Sequence, residues 1–213
     1  DIPLDRAALV GCGVTTGVGA VLFAAGVRPG ESVAVIGCGG VGLNVVQGAA
    51  LAGAGPVIAV DVVPQKLQWA KELGATHVVN AREQDPVEAI RSLTEGRGAD
   101  YAFEVIGRVE TIQQAYEATR KGGTTVVVGL APQGTILPLD PLDLLRAEKT
   151  IKGTVYGTAN LPRDIPRLLE LYRLGRLKLD ELISRRLRLE QINEGFDAML
   201  SGSVARSIVV FDT

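Results

Sequence analysis

The chain has 213 residues, of which 46% are hydrophobic and 22% are charged, a length that suffices for one large or two small domains with a sizeable core. The formal net charge of −2, without a dense basic run, argues against a nucleic-acid partner. The two cysteines cannot form a disulfide framework, which favours a reducing cytoplasm, and we expect no apolar run long enough to span a bilayer.

Two helices are predicted before the first strand. The first covers residues 1–9, where Pro3 and Asp5 suit a helix start, and it is expected to end in the glycine-containing segment 10–13. The second covers residues 15–25 and carries small residues on a face that must approach another element closely. Residues 27–30 follow as a turn, with Pro29 and Gly30 at favoured turn positions.

From residue 33 onward, apolar strands alternate with helices. The predicted strands are 33–36, 57–60, 77–80, 100–105, 124–128 and 149–156. The predicted helices are 41–51, 64–73, 85–93 and 109–120. Strands of this kind, apolar without alternation, are typical of a parallel sheet covered on both faces. Six of them in two halves predict an α/β fold with a doubly wound parallel six-stranded sheet, the Rossmann arrangement.

Between the fifth and sixth strands, residues 131–141 carry three prolines and no periodicity, which predicts a surface loop on the ligand side of the sheet. The alternation ends after the sixth strand, where helices are predicted at 164–174 and 190–200, and strands at 187–189 and 207–211. Because two helices intervene, the last strand is expected to lie in a separate sheet.

The glycine cluster after the first strand is the most informative stretch. Gly37, Gly39 and Gly42 have the G-x-G-x-x-G spacing between a strand and a helix. Gly37 allows the tight turn, Gly39 lets a pyrophosphate approach the backbone, and Gly42 lets the helix pack on the sheet. Gly40 and Val41 complete the turn at a helix N-terminus, whose free N–H groups favour phosphate. The segment predicts a dinucleotide site.

Asp61 supports this interpretation. It ends the second predicted strand, close to the separation at which an acid contacts the adenosine ribose of NAD. A carboxylate there accepts hydrogen bonds from both ribose hydroxyls and repels a 2′-phosphate, which favours NAD over NADP. The alternative is that Asp61 merely caps the helix that starts near Pro64.

Four motifs taken together resemble one family. They are GCGVTTG at 11–17, GCGGVG at 37–42, FEVIGR at 103–108 and INEGF at 192–196. In this order and spacing they resemble the zinc-dependent alcohol dehydrogenases of the medium-chain dehydrogenase/reductase superfamily. The subgroup that looks closest contains the liver-type and the glutathione-dependent formaldehyde dehydrogenases, the latter being class III.

The resemblance implies a longer protein. Full-length members begin with a GroES-like catalytic domain that supplies a Cys and a His to the catalytic zinc. We therefore expect this chain to be the C-terminal portion of such an enzyme. Residues 1–13 would belong to the catalytic domain, 14–156 would form the NAD-binding domain, and 157–213 would return as an α+β tail to the catalytic domain.

The resemblance also implies roles for individual residues. Cys12 would be the third protein ligand of the catalytic zinc, for which a thiolate is suited. Thr16, the second implied catalytic residue, would lie near the nicotinamide, and Val41 would pack on its ring opposite the substrate. Lys66 would help Asp61 to hold the ribose. The remaining implied cofactor contacts are Ile106, Gly107 and Arg108 at the adenosine and ribose, Gly129 with Val128 and Leu130 at the carboxamide, and Arg206 at the pyrophosphate.

Several of these residues have simpler interpretations. Cys12 could be a small buried thiol, and alone it cannot hold a metal. Lys66 and Arg206 could be solvated surface charges. Glu104 precedes apolar residues, so we expect it to make a structural hydrogen bond because an unpaired buried acid is costly. Cys38 is interpreted as filler in the loop, and His77, the only histidine, as packing at a strand start.

For the complete protein, the resemblance implies NAD-dependent, zinc-assisted oxidation of an alcohol to an aldehyde or ketone by hydride transfer. The alcohol could be a simple primary alcohol or a thiol adduct of formaldehyde. The rival hypothesis is an isolated NAD(H)-binding and dimerisation module without turnover, whereas Cys12 disfavours a zinc-free quinone reductase. Expected partners are a small-molecule substrate and further copies of the chain, in a homodimer or homotetramer formed through the edge strand near Ile151, with no nucleic acid or membrane.

Overall fold

Six parallel strands form the main sheet of the protein, whose residues 2–211 are described by a computed structural model. Their bounds are β1 Val33–Ile36, β2 Val57–Asp61, β3 His77–Asn80, β4 Ala99–Glu104, β5 Thr119–Val127 and β6 Thr150–Gly153. They lie in the order β3-β2-β1-β4-β5-β6, and every neighbouring pair is parallel. This order confirms the predicted doubly wound sheet, and the chain reverses direction across it between β1 and β4, where ligands bind in such folds.

Helices cover both faces of this sheet. The helices are α1 Leu4–Ala25, α2 Gly42–Leu51, α3 Pro64–Glu72, α4 Pro86–Leu93, α5 Val109–Ala118, α6 Pro141–Ala147, α7 Leu161–Arg173 and α8 Ile192–Leu200. Val33 and Val35 of β1 belong to a buried cluster with α1, α2 and α3. Ala34 and Ile36 belong to a second cluster with α4 and α5. Burial on both faces explains the continuous apolar strand sequences.

The N-terminal helix does not break at residues 10–13, so the prediction of two separate helices is wrong. Helical backbone continues from Leu4 to Ala25, partly as π-helical turns, and ends at Gly26, whose φ is +70°. The Thr15 hydroxyl donates to the Val10 carbonyl inside this stretch. Glycine disfavours a helix by only about 1 kcal/mol per residue, which tertiary packing outweighs here. The predicted start at residue 1 lies outside the described residues.

Helix α1 is also long and apolar enough to cross a membrane, which corrects the expectation that no such run exists. Within its 22 residues, a window of 18 residues has a mean hydropathy of 1.9, but 56% of that window is buried inside the protein. A Cβ on Gly17 would lie 2.5 Å from the Val41 carbonyl oxygen, and one on Gly48 would lie 3.0 Å from Val18 Cα. The small residues therefore let α1 and α2 touch through their backbones, as in the core helix of a soluble protein.

Several predicted boundaries shift in the structure, among them the start of β5, which moves from residue 124 to 119. Helix α5 ends at Ala118 because Thr119 starts β5, and the Thr119 hydroxyl donates to the carbonyl of Ala115 at 2.8 Å. Strand β6 ends at Gly153, three residues early, and a 3-10 turn with positive φ at Tyr156 follows. The strand predicted at 187–189 instead covers residues 183–187.

The sequence prediction also missed helix α6. The predicted loop is irregular through Asp140, but its last residue, Pro141, begins this helix. The Asp140 carboxylate accepts a hydrogen bond from the Leu142 N–H at 2.9 Å, and Pro141 suits the first helical position. The Tyr116 hydroxyl donates to Asp143 at 2.8 Å and attaches the short helix to α5.

The C-terminal tail forms a second, smaller sheet, as predicted. Strands β7 Ile183–Leu187 and β8 Arg206–Val209 pair in parallel and are connected through α8. The tail attaches to α2 because the Gln47 amide donates to the Lys178 carbonyl at 3.0 Å and accepts from the Lys178 N–H at 2.8 Å. These two bonds attach the segment before β7 to the middle of α2.

Candidate cofactor-binding site

The glycine turn between β1 and α2 has the geometry that its spacing predicts. Gly37 has a φ of +99°, which favours glycine, and a Cβ there would lie 2.5 Å from Ile106 Cγ1. A Cβ on Gly42 would overlap the Gly37 carbonyl oxygen, so α2 starts in direct contact with the turn. Nothing lies within 4 Å of a Cβ on Gly39, which leaves open space over the backbone.

The start of α2 offers hydrogen-bond donors to that space. The Leu43 N–H donates to the Gly39 carbonyl at 2.9 Å, and the Val45 N–H donates to the Val41 carbonyl at 3.0 Å. Within residues 2–211, no hydrogen bond uses the N–H groups of Gly40 or Val41. Free N–H groups at a helix N-terminus, with the partial positive charge of the helix dipole, form a site for an anion.

Asp61 lies at the carboxyl end of β2 and is buried. One carboxylate oxygen accepts from the Cys38 N–H at 2.8 Å, inside the glycine turn. The other accepts from the N–H groups of Val62 and Val63 at 2.8 and 3.0 Å. Helix α3 has no side-chain cap, so the alternative of Asp61 as its cap is wrong. The carboxylate instead joins the glycine turn to the loop after β2.

The tail brings Arg206 into the same turn. A Cβ on Gly40 would lie 2.6 Å from Arg206 Cζ, and one on Gly13 would lie 2.9 Å from the same atom. The guanidinium therefore lies between two glycines, which leave room for it. None of the ion pairs described for residues 2–211 involves Arg206. Its half-buried charge beside Gly40 adds to the positive character of the α2 start.

A cleft of about 370 Å³ joins the glycine turn to Arg206 and Lys66, whereas Asp61 is not among the residues that line it. Gly39, Gly40 and Val41 form one wall, and α8 with β8 forms the opposite wall. Lys66 lies at the edge, with its Nζ 3.5 Å from the position of a Cβ on Gly202. The cleft therefore contains four predicted cofactor residues together with Arg206, in a groove that is part apolar and part cationic.

The carboxyl ends of β4 and β5 carry the next group of predicted residues. The N–H groups of Ile106 and Gly107 donate to Glu104 at 2.9 and 2.7 Å, which confirms the structural hydrogen bond expected of this acid. Gly107 has a φ of +90°, and a Cβ there would lie 2.8 Å from the Leu130 nitrogen. A Cβ on Gly129 would lie 2.6 Å from the Ile106 carbonyl carbon. The two loops are therefore in backbone contact.

The flanking residues of these loops differ in exposure. Val128 is half-buried, whereas Ile106, Arg108 and Leu130 are exposed. Arg108 forms an exposed ion pair with Glu110 at 3.4 Å, and such pairs contribute little to stability. The side chains of Ile106 and Leu130 are therefore accessible to a ligand at the carboxyl ends of β4 and β5.

Cys12 and Thr16 are four residues apart in α1, an interval that places both side chains on a similar side of a helix. Cys12 is exposed, so its interpretation as a buried thiol is wrong. In the part of the chain that is described, no group of three His, Cys, Asp or Glu residues could hold a metal. A zinc site needs four ligands, or three with an open position, and the described residues do not fit one.

Cys38 has a defined place as well. It is buried, its Sγ lies 3.5 Å from the Val60 carbonyl oxygen, and burial raises the pKa of this thiol far above its usual range. The side chain is therefore a neutral space-filling group, in agreement with its interpretation as filler. His77 starts β3, as predicted, but its ring is exposed and in hydrogen-bond contact with the Thr76 hydroxyl, so its interpretation as a packed side chain is wrong.

Apart from Arg206, sequence analysis assigned no role to the tail residues that line the cleft. Phe196 and Met199 lie on α8 and contribute large apolar surfaces, although they are 51% and 60% exposed overall. Their spacing of three residues puts them on one face of the helix. The three-residue spacing was visible in the sequence. It predicts an apolar helix face, but it does not tell whether that face lines a cleft or packs in the core.

Comparisons with known proteins agree with this geometry. A family model described as zinc-binding dehydrogenase matches residues 40–173. The NDMA-dependent alcohol dehydrogenase of Amycolatopsis methanolica is 44% identical over 98% of this chain, and the class-3 alcohol dehydrogenase of Cereibacter sphaeroides is 41% identical over 99%. The benzyl alcohol dehydrogenase structure from Acinetobacter calcoaceticus superposes on the whole chain with a TM-score of 0.96 at 37% identity. A zinc-binding dehydrogenase described as putative, from Sinorhizobium meliloti 1021 and bound to NADP, superposes on 94% with a TM-score of 0.81 at 31% identity.

The chain spans 57% and 58% of the length of the two relatives, and 58% of each of the two solved chains. The family match covers more than half of the present chain and includes the start of α2, β2, β4 and β5. The resemblance inferred from the four motifs is thereby confirmed. The chain belongs to the zinc-binding dehydrogenase family.

Proposed function

We propose that the cleft beside the glycine turn binds NAD. The observation that carries this proposal is the convergence of an open Gly39 with the N–H groups of Gly40 and Val41 and the Arg206 guanidinium. Neither these two N–H groups nor the guanidinium has a hydrogen-bond or ion-pair partner within residues 2–211. Phosphate oxygens are the ligands that this combination favours, and the site lies beside the switch point of a doubly wound sheet. These residues would hold the pyrophosphate, with Lys66 beside the adenosine ribose.

Asp61 supports NAD rather than NADP. Its carboxylate accepts three hydrogen bonds, from the N–H groups of Cys38, Val62 and Val63 at 2.8, 2.8 and 3.0 Å. Carboxylate oxygens have about four lone-pair sites, so these bonds leave about one for a ribose hydroxyl, where the sequence predicted contacts with both hydroxyls. A 2′-phosphate would meet a fixed negative charge here.

For the complete protein we propose oxidation of an alcohol to an aldehyde or ketone. When bound, the nicotinamide supplies the hydride-accepting chemistry, and the protein contributes position and electrostatics. Val41 would cover one face of the ring, Thr16 would lie near it, and the backbone around Gly129 would bond the carboxamide. A thiol-dependent formaldehyde dehydrogenase is the second candidate, because a class-3 alcohol dehydrogenase is among the relatives.

Cys12 is the only residue of the described chain that we propose as a zinc ligand. The described residues provide one exposed thiol and no cluster that could complete a site. Cys12 would therefore serve as one ligand, with the others supplied by residues outside this chain. The proposed domain limits follow the same logic: 14–156 for the cofactor domain, with 1–13 and 157–213 contributing to a catalytic domain.

A fluorescence titration with NADH tests the cofactor site. We expect the 213-residue chain to bind NADH and to show no turnover with ethanol, NAD and added zinc, because its residues 2–211 do not complete a zinc site. Absence of NADH binding would refute the cofactor site. Clear turnover would refute the proposal that this chain acts only as a cofactor-binding module.

We further propose that copies of the chain associate through β6, as a homodimer or homotetramer in the cytoplasm. Strand β6 is the edge of the sheet, and Leu145 and Val155, which flank it in sequence, are 71% and 79% exposed. Unpaired edge strands with apolar neighbours favour association. Replacing Ile151 by Pro would remove an edge N–H, and size-exclusion chromatography should then show monomers where the parent chain forms dimers. Identical elution of the two would contradict this interface.

A further inference from the structure

Glu104 is fully buried at the carboxyl end of β4, where a carboxylate is costly unless it is hydrogen-bonded. Its Oε1 accepts from the N–H groups of Ile106 and Gly107 at 2.9 and 2.7 Å, and from the Thr111 hydroxyl at 2.7 Å. Within residues 2–211, its Oε2 has no hydrogen-bond partner. This second oxygen lies 2.7 Å from the position that a Cβ on Gly129 would occupy.

The backbone of the same residue holds the neighbouring strand. The Glu104 carbonyl accepts from the N–H groups of Val128 and Gly129 at 2.9 and 3.0 Å. One residue therefore connects the loop after β4 to the end of β5. The family resemblance implies that the first of these segments borders the adenosine and ribose of the cofactor, and the second segment is proposed above to bond its carboxamide. Glu104 also pairs in register with Ile36, the last residue before the glycine turn.

We infer that Glu104 is a positioning residue for the nicotinamide half of the cofactor site. Three donors on one carboxylate oxygen fix the loop of Ile106 and Gly107, and Oε2 excludes any side chain from position 129. The spacing between this loop and Gly129 then determines where the carboxamide can bind. The inference rests on the proposed NAD site and adds a residue that does not itself contact the cofactor.

The isosteric change Glu104→Gln tests this inference. An amide has only one acceptor oxygen, and its NH2 group would enter the space beside Gly129, where the described structure offers no acceptor. We expect the affinity for NADH to fall about tenfold, the effect of losing charged hydrogen bonds in a buried network. ADP-ribose keeps the adenosine, the pyrophosphate and both ribose groups but lacks the nicotinamide. Its affinity should fall by only about twofold, because it is affected through the loop of Ile106 and Gly107 but not through the carboxamide contact at Gly129.

Asp100→Asn is the matched control, because Asp100 lies at the other end of β4. Its carboxylate accepts from the Ser32 N–H at 2.8 Å and from Arg120 Nε at 2.6 Å, away from the cleft. This variant should lose stability without changing the ratio of NADH to ADP-ribose affinity. Thr111→Val removes one hydrogen-bond donor to Glu104 Oε1. It should lower the ratio of NADH affinity to ADP-ribose affinity, as Glu104→Gln does, but by a smaller factor.

The two ligands separate the possible failures. If the parent chain binds neither NADH nor ADP-ribose, the proposed function fails and the inference fails with it. If the parent binds both, but Glu104→Gln and Thr111→Val leave the ratio unchanged or weaken both ligands equally, only the positioning role is refuted. Selective loss of NADH affinity in Glu104→Gln, and not in Asp100→Asn, supports it.

Discussion

Replacing Gly42 by Ala should destabilise the fold, whereas the same change at Gly39 should not. A Cβ at position 42 would overlap the Gly37 carbonyl oxygen and lie 2.8 Å from the carbonyl carbon, well inside the 3.4 Å at which ordinary contact begins. The atom it meets is backbone, so relief requires α2 to move away from β1. At position 39, a Cβ would have no neighbour within 4 Å.

The expected magnitude follows from these contacts. Overpacking a tight site costs about 1–3 kcal/mol, and we take the upper end because backbone must move. Alanine returns at most about 1 kcal/mol of helix propensity, which leaves a net loss of about 2 kcal/mol. For a chain of this size that corresponds to a fall in Tm of about 4–8 °C.

Thermal unfolding followed by circular dichroism, with NADH titration of the same samples, measures both effects. Gly42→Ala should melt earlier than the parent chain. Gly39→Ala should melt at the parent temperature but bind NADH about tenfold more weakly, because its methyl group enters the space proposed for the pyrophosphate. An unchanged Tm for Gly42→Ala would refute the proposed contact between helix and turn, and unchanged binding by Gly39→Ala would refute the location of the site.

Three further predictions concern charged residues. Asp61→Gly should lower the affinity for NADH relative to NADPH, and an unchanged cofactor preference would contradict the role of Asp61. The same change should lower Tm, because three backbone N–H groups lose their acceptor. Arg206→Ala should weaken NADH binding about tenfold in a titration, whereas the control Arg185→Ala, on exposed β7, should leave it unchanged. Equal effects of the two changes would show that Arg206 attracts the cofactor only through the overall charge of the protein. The guanidinium of Arg163 holds the pKa of Asp164 at about 2, below its ordinary 3.8, so this carboxylate stabilises the fold above about pH 4 and loses that effect as the pH falls through 2. The free energies of unfolding of the parent chain and of Asp164→Asn, measured in urea, should therefore differ at pH 7 and converge in acid. A difference that stays constant with pH would contradict this role of Asp164.

The sequence by itself determined the order of strands and helices and the location of the glycine turn. These features depend on local chemistry: apolar runs buried on both faces, glycines at a strand-to-helix turn, and an acid at the end of β2. The helices that begin at Pro64 and Pro86 were predicted within a residue because proline suits the first helical position. Helix α6 carries the same signal at Pro141 but is too short for periodicity to reveal it.

Only the tertiary structure decided the features that join distant segments. Helix α1 continues past Gly11 and Gly13 because the packing of its small residues on α2 outweighs the low helix propensity of glycine. This packing joins two helices, so the local sequence around the glycines does not reveal it. Arg206 reaches a turn more than 160 residues earlier in the chain, and Glu104 connects two loops, through contacts that depend on how β8, β4 and β5 are arranged in space. Local sequence indicates which residues can bind a ligand, but the sheet order determines which of them meet.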